Sequence, residues 1–177
     1  ARITVEYPAG FMLVAAMNPC PCGYLNHPDI ACICTEKQKK SYFAKISGPL
    51  LDRIDIQCQV PKVSYEDLTA DRKETSSSDS RERILNARKI QSNRFEGTKT
   101  YSNSQMTHKQ IKDHCKLSSS TQEIIKKAMR AFHLSARAYN KILKTSRTIA
   151  DLDNSQDIAE DHVMEAFQYR SLDRFIS

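Results

Sequence analysis

The sequence predicts a mostly α-helical chain: a remnant of an α/β core followed by an all-α domain. Three observations carry this. The run from Phe11 to Met17 reads FMLVAAM, apolar throughout, which suits a strand covered on both faces of a parallel sheet. Ile54, Ile56, Cys58 and Val60 alternate with Asp55, Gln57 and Gln59, the period of a second strand with one wetter face. Beyond residue 80 the apolar residues recur at helical spacing instead.

Taken in order, Ile3 to Tyr7 alternates and turns at Pro8-Ala9-Gly10 into the apolar run, as one arm of a hairpin would. Asn18-Pro19 stops that run, because proline has no donor for a ladder and restricts its predecessor. A strand of this kind delivers Asn18 to the carboxyl edge of a sheet, where open α/β folds bind ligands. Thr35 to Ile46 predicts a short basic helix capped by Thr35, with Tyr42, Phe43 and Ile46 on its apolar side. Residues 62–80 are polar and end in a serine cluster, the composition of a linker. Helices are expected over Arg81–Phe95, Thr107–Lys116, a capping box at Ser120-x-x-Glu123 running to about Phe132, Ala136–Leu152 behind Ser135, and Glu160–Tyr169. The boundaries are therefore 1–61 for the core part, 62–80 for the linker and 81–177 for the helical domain.

The chain has 177 residues, 40% of them hydrophobic, enough for one good core or two small ones. It opens on Ala1 and almost at once enters what reads as the middle of a sheet. A lone buried strand is not stable, so an excised fragment lacking its amino-terminal part is expected. No window is apolar enough to span a membrane and no secretory signal is present. The formal charge is +6. Residues 1–78 hold nine Lys/Arg and nine Asp/Glu, whereas 79–177 hold eighteen and twelve. The whole excess sits in the second half, which points to an anionic partner there, nucleotide or nucleic acid; a solvated helical surface is the alternative.

Cys20-x-Cys22 and Cys32-x-Cys34 form two close pairs around a loop containing proline and glycine. Four thiolates so spaced suit a structural, tetrahedral zinc, although C-x-C departs from the commoner C-x-x-C. His27 lies between the pairs and is an alternative ligand. Disulfides and free thiols are the competing readings. Cys58 and Cys115 stand alone and read as core residues. Arg53 enters the second strand behind Gly48-Pro49-Leu50-Leu51-Asp52. It either pairs with Asp52 or Asp55, or presents a rigid fork to a γ-phosphate at a subunit edge. On the helix behind Ser135, Tyr139, Ile142, Leu143, Ser146, Ile149 and Ala150 share one face, and Arg137, Lys141 and Lys144 fall opposite. Arg137 also sits in the first turn, where the helix dipole favours an anion; a solvated basic stripe is the alternative.

Four stretches together resemble the AAA+ ATPases of the magnesium-chelatase group, and within it the YifB/ComM family. They are Ala15-Ala16-Met17-Asn18-Pro19-Cys20-Pro21-Cys22-Gly23, Ile46 through Asp55, Leu134-Ser135-Ala136-Arg137-Ala138-Tyr139, and Gln168-Tyr169-Arg170. The resemblance implies the last part of an AAA+ core followed by the helical lid. It implies that Asn18 is the sensor 1 residue, Arg53 the arginine finger and Arg137 the sensor 2 arginine, so that Asn18 and Arg137 also contact nucleotide. It further implies ATP and Mg²⁺ as ligands of the full-length protein, a self-associated ring, expected to be a hexamer, and a cytoplasmic location. The only glycines are Gly10, Gly23, Gly48 and Gly97, and no G-x-x-x-x-G-K-[ST] can be drawn. This chain alone is expected to be inactive as an ATPase.

Three functions remain open on these grounds. The leading expectation is part of an ATP-driven ring motor that remodels DNA, as the resemblance to ComM implies. The cysteine pairs, absent from magnesium chelatases proper as that family is understood, favour it over an ATPase subunit that inserts Mg²⁺ into a porphyrin. A zinc-stabilised nucleic-acid-binding module without motor activity is the third.

Overall fold

The computed structural model describes residues 4–5, 7, 10–46, 50, 53–60, 63, 69, 76–131 and 134–170. The chain divides into two compact units, Ala1–Lys45 and Ile46–Ser177. Its regular structure is helical. Among the described residues strand pairing is limited to two isolated parallel bridges, Gln57 with Arg170 and Leu117 with Ile158.

In the first unit, α1 (Glu36–Phe43) starts where the sequence places it. Thr35 accepts from the Gln38 amide at 3.3 Å, and Gln38 accepts from the Thr35 amide at 2.8 Å, a reciprocal cap for two end donors. The helix stops at Phe43, short of the expected Ile46. The strand expected at Phe11–Met17 is not formed. The run carries no ladder, and Phe11, Met12, Leu13 and Val14 are 62–87% exposed. A strand needs a neighbour about 4.8 Å away, and the described residues contain none to pair with it.

The second unit is a helical bundle organised around α5. Among the described residues its helices are α2 (Ser77–Arg94), α3 (His108–His114), α4 (Ser119–Ala131), α5 (Ala136–Leu152) and α6 (Glu160–Gln168), with a 3₁₀ turn at Asn103–Gln105. Helix α5 packs against α2, α3, α6 and the 3₁₀ turn, while α4 packs on α6. Leu143 and Ala150 of α5 meet Phe95, Met106, Ile111, Cys115, Ile125, Ile158 and Val163 in the main core. Ile142 and Ile149 form a second cluster with Ala166. Cys115 is a core residue as expected; Cys58 is exposed.

The caps explain where the helices begin. Ser135 accepts from the Ala138 amide at 3.1 Å, and α5 has its expected bounds. Thr107 and Gln110 form the reciprocal cap of α3. Two starts differ from expectation. Ser76 accepts from Asp79 at 3.1 Å, so the serines that resemble a linker form the first turn of α2. Ser118, not Ser120, caps α4 by accepting from the Thr121 amide at 3.1 Å. Serine competes well for end donors in either case, and in a serine run the choice falls to packing, here burial of Thr121.

The second expected strand, Ile54–Val60, is also largely unformed. Its single bridge joins Gln57 to Arg170, and Gln57 is buried while Ile56 and Val60 are 55% and 85% exposed. Gln57 alone among residues 53–60 is buried, and Asp55 and Gln59, which would share its face, are exposed, so neither face of the segment packs on a core. The expected hairpin turn at 8–9, the stretch 47–49, Leu51 and Asp52, and most of the expected linker lie outside the described residues.

Candidate metal centre and arginine positions

The first cysteine pair folds as a knuckle. The Gly23 amide donates to the Cys20 carbonyl at 3.0 Å, closing a turn over Cys20-Pro21-Cys22. Gly23 takes φ = +83° there, a conformation a Cβ would strain. The Cys20, Cys22, Cys32 and Cys34 sulfurs all lie within 4.8 Å of one another. Cys20–Cys22 is 3.4 Å, Cys20–Cys32 is 3.7 Å and Cys22–Cys32 is 3.6 Å. Sulfurs about 2.3 Å from a tetrahedral zinc stand about 3.8 Å apart. All four cysteines are free and bridged by no disulfide. Cys20 is fully buried and the other three partly so. The donor set and spacing fit a structural Zn²⁺.

The electrostatics agree. The backbone N–H of Tyr24 helps pull the Cys22 thiol down to about 6, whereas burial and then the neighbouring Cys22 push Cys34 up to about 12. Four clustered thiols cannot all ionise without a cation among them, and Zn²⁺ would remove that conflict. Four thiolates on Zn²⁺ would leave a net charge of −2. Lys39 of α1, paired with Glu36 at 2.7 Å, is close enough for its charge to be felt by Cys32 and Cys34. His27 is not in the sulfur cluster: its Nδ1 accepts from the amides of Asp29 and Ile30, both at 3.1 Å.

Asn18 is in the first unit; it is exposed, and its carbonyl accepts from the Tyr42 hydroxyl at 3.1 Å. Arg53 and Arg137 are both in the second unit and both exposed. Arg137 is in the first turn of α5, and Lys141 follows one turn later on the same face. The Lys141 ammonium donates to the Arg53 carbonyl and pairs with Asp55 at 2.9 Å. Lys144 donates to the Ser104 carbonyl at 2.7 Å. The polar face of α5 is therefore not a uniform solvated stripe. Its two lysines are half-buried and hold loops, because each main-chain carbonyl needs a donor.

Sequence reasoning missed a polar network on the buried side of the same helix. Asp151, fully buried, accepts from Arg94 and Arg147, and from the Asn103 side-chain Nδ2 at 2.8 Å. Arg147 also donates to the Gln156 and Ser155 carbonyls at 2.8 and 2.6 Å. The signal was available: Arg147 and Asp151 stand four apart beside an apolar face.

Residues 74–170 match the family described as Magnesium chelatase, subunit ChlI C-terminal, and residues 1–68 match Magnesium chelatase, subunit ChlI. The chain belongs to the magnesium-chelatase-like family. Among its relatives, competence protein ComM of Haemophilus influenzae is 40% identical over 99% of this chain and 34% of its own length. The uncharacterized protein YifB of Escherichia coli is 35% identical over the same shares, and that of Salmonella typhimurium 33%. The chain spans about a third of the length of the curated relatives it matches. No helix among the described residues is long and apolar enough to cross a membrane.

Proposed function

We propose that this chain is the carboxyl-terminal part of a magnesium-chelatase-like AAA+ ATPase, an ATP-driven ring motor that remodels DNA. The observation that carries the ATPase reading is the joining of the Arg53 turn to α5, the helix that opens with Arg137. Two exposed arginines on segments joined through Lys141 suit the recognition of a phosphate chain, since guanidinium keeps its charge and its fork geometry. The full-length protein would bind ATP and Mg²⁺ through a phosphate loop outside this sequence, and these would supply the phosphoryl group and neutralise its charge. Arg53 would stabilise the departing phosphoryl group of a neighbouring subunit, Arg137 would hold the phosphates, and Asn18 would orient the attacking water. The exposed apolar run Phe11–Met17 supports the view that residues 1–61 form one edge of a larger α/β core.

DNA as the substrate is supported by the relative named a competence protein and by the charge excess in residues 79–177. DNA-stimulated ATPase activity of the full-length protein tests it. Binding should fall steeply with salt, by a log–log slope of about −0.9 per phosphate neutralised on duplex DNA. Lys144→Gln should leave that slope unchanged, because its ammonium is committed to Ser104. A salt-insensitive interaction, or an ATPase indifferent to DNA, refutes the reading. The family description itself favours a second one, the ATPase subunit of a chelatase that inserts Mg²⁺ into a porphyrin; porphyrin-dependent rather than DNA-dependent turnover would select it.

A further inference from the structure

The segment around Arg53 is held to the helical bundle at three backbone points. The Arg53 carbonyl accepts from the Lys141 ammonium. The Ile54 carbonyl accepts from Arg170 Nη1 at 3.3 Å, across 116 positions of sequence. The Gln57 amide donates to the Tyr169 carbonyl at 2.8 Å. On the other side, the Arg53 amide donates to the Leu50 carbonyl at 2.9 Å, and Arg53 itself lies in a turn. Lys141 grips twice, at the Arg53 carbonyl and at Asp55, bracketing Ile54. Its side chain is 15% exposed, whereas that of Asp55 is 69% exposed. The lysine is thus covered by the turn it holds and is not a solvent-facing cation.

We propose that Lys141 is a positioning residue that fixes the Arg53 turn to α5, so that Arg53 and Arg137 move as one body. The inference rests on the reading of Arg53 as a group that meets phosphate. Arg137 and Lys141 are one helical turn apart, with Cβ atoms about 5–6 Å from each other. A displacement of α5 at Arg137 is therefore passed through the Lys141 ammonium to the main chain that carries Arg53. Lys141 directs two of its three ammonium donors at Arg53 and Asp55, and its side chain is 15% exposed, so its role is to hold the turn. A charged group that stabilises a transition state must be held to within about 0.5 Å, and a side chain on an otherwise irregular segment depends on such a support.

The experiment uses the full-length protein and four forms: wild type, Lys141→Met, Lys141→Arg and Arg53→Ala. ATP turnover is measured together with hydrogen exchange of the amides of residues 53–58. Lys141→Met keeps the apolar stem and removes both contacts. It should lower kcat by about 10–100-fold, the scale of a misplacement near 1 Å, and leave KM for ATP within about 2-fold. Exchange over residues 53–58 should quicken while α5 and α6 stay protected. Lys141→Arg, which retains donors for both acceptors, should restore most of the turnover and the protection. An unchanged exchange rate in Lys141→Met, or an unchanged kcat when Arg53→Ala is inactive, overturns the proposal. So does faster exchange throughout α5 and α6, which would make Lys141 an ordinary stabilising residue. Normal turnover by Arg53→Ala instead removes the underlying reading of Arg53, and the catalytic role of Lys141 falls with it; the exchange data then still decide whether Lys141 holds the turn.

Discussion

Arg94 and Asp151, 57 positions apart in sequence, form a two-pronged ion pair inside the helical unit, with Nη1–Oδ2 at 2.7 Å and Nη2–Oδ1 at 2.5 Å. The pair is not isolated. Arg147 approaches the same carboxylate at 3.1 Å, so one buried anion serves two arginines. One side chain thus ties α2, α5 and the 3₁₀ turn together, beside the Gln91–Asn103 and Asn103–Thr148 hydrogen bonds. Replacing such a network by apolar groups can be neutral, but removing one partner leaves buried charge uncompensated.

Asp151→Ala should therefore destabilise the helical unit by about 3–5 kcal/mol, the range for breaking a buried pair. Arg83→Ala provides the contrast. Arg83 meets Asp153 at 3.2 Å, but both side chains are about half exposed, and exposed pairs contribute about 0–1 kcal/mol. Urea unfolding of the two variants checks the difference. Equal losses would mean that the Asp151 network is solvated in solution.

His114 gives the helical unit a pH dependence. Its ring meets Phe95 edge-on at 5.6 Å, and burial, then the Arg94 charge, holds its pKa below the ordinary histidine value. A depressed folded pKa means that the folded state disfavours the proton. Stability is full above the unfolded value of about 6.5 and is lost as pH falls from there towards the folded value. His114→Gln should flatten that loss. Thermal unfolding of both proteins at each pH from 7.5 to 5 measures it, and the difference between them removes the acid lability of any metal site. Parallel curves would contradict the assignment.

The helical unit was more legible in the sequence than the first. Ser135 and Thr107 announce helix starts because their side chains satisfy orphan amides locally, and α5 has its expected bounds because its apolar period is long. Helix α2 was hidden at its start by serines that suit a linker or a cap equally well. The strands failed for a different reason. The apolar run Phe11–Met17 has a strand's composition, but a strand is completed by a neighbour, and periodicity says nothing about whether one is present. In the candidate sites, the cysteine spacing was enough to bring four sulfurs together. The grip of Lys141 on Arg53 was not legible, since it joins residues 88 positions apart through a main-chain carbonyl, a group that every residue has.

The four-sulfur cluster should hold close to one equivalent of zinc in protein purified without added metal. Elemental analysis with thiol titration checks this. Less than about a tenth of an equivalent together with four reactive thiols would refute it. Cys32→Ser should loosen the loop and lower the stability of the first unit, because binding to such a site is itself folding free energy. The second unit is expected to be unaffected, which hydrogen exchange over α2 to α6 would reveal.

Arg53 makes the sharpest catalytic prediction. If it acts on the nucleotide of a neighbouring subunit, Arg53→Ala in the full-length protein should abolish turnover while ATP binding and zinc content persist. The loss of an arginine acting in trans is worth about 10³–10⁵ in rate in comparable systems. Arg53→Lys should rescue poorly, since an ammonium is a point charge without the planar fork. The trans role has its own assay, in which the Arg53→Ala protein is mixed with a phosphate-loop variant. Each is inactive alone, but a mixed ring contains some interfaces with an intact loop on one side and an intact Arg53 on the other. Turnover should reappear on mixing and should vary with the ratio of the two proteins. Silence despite demonstrated co-assembly would mean that the guanidinium serves its own subunit, and that the turn clamped by Lys141 and Arg170 is a structural joint only.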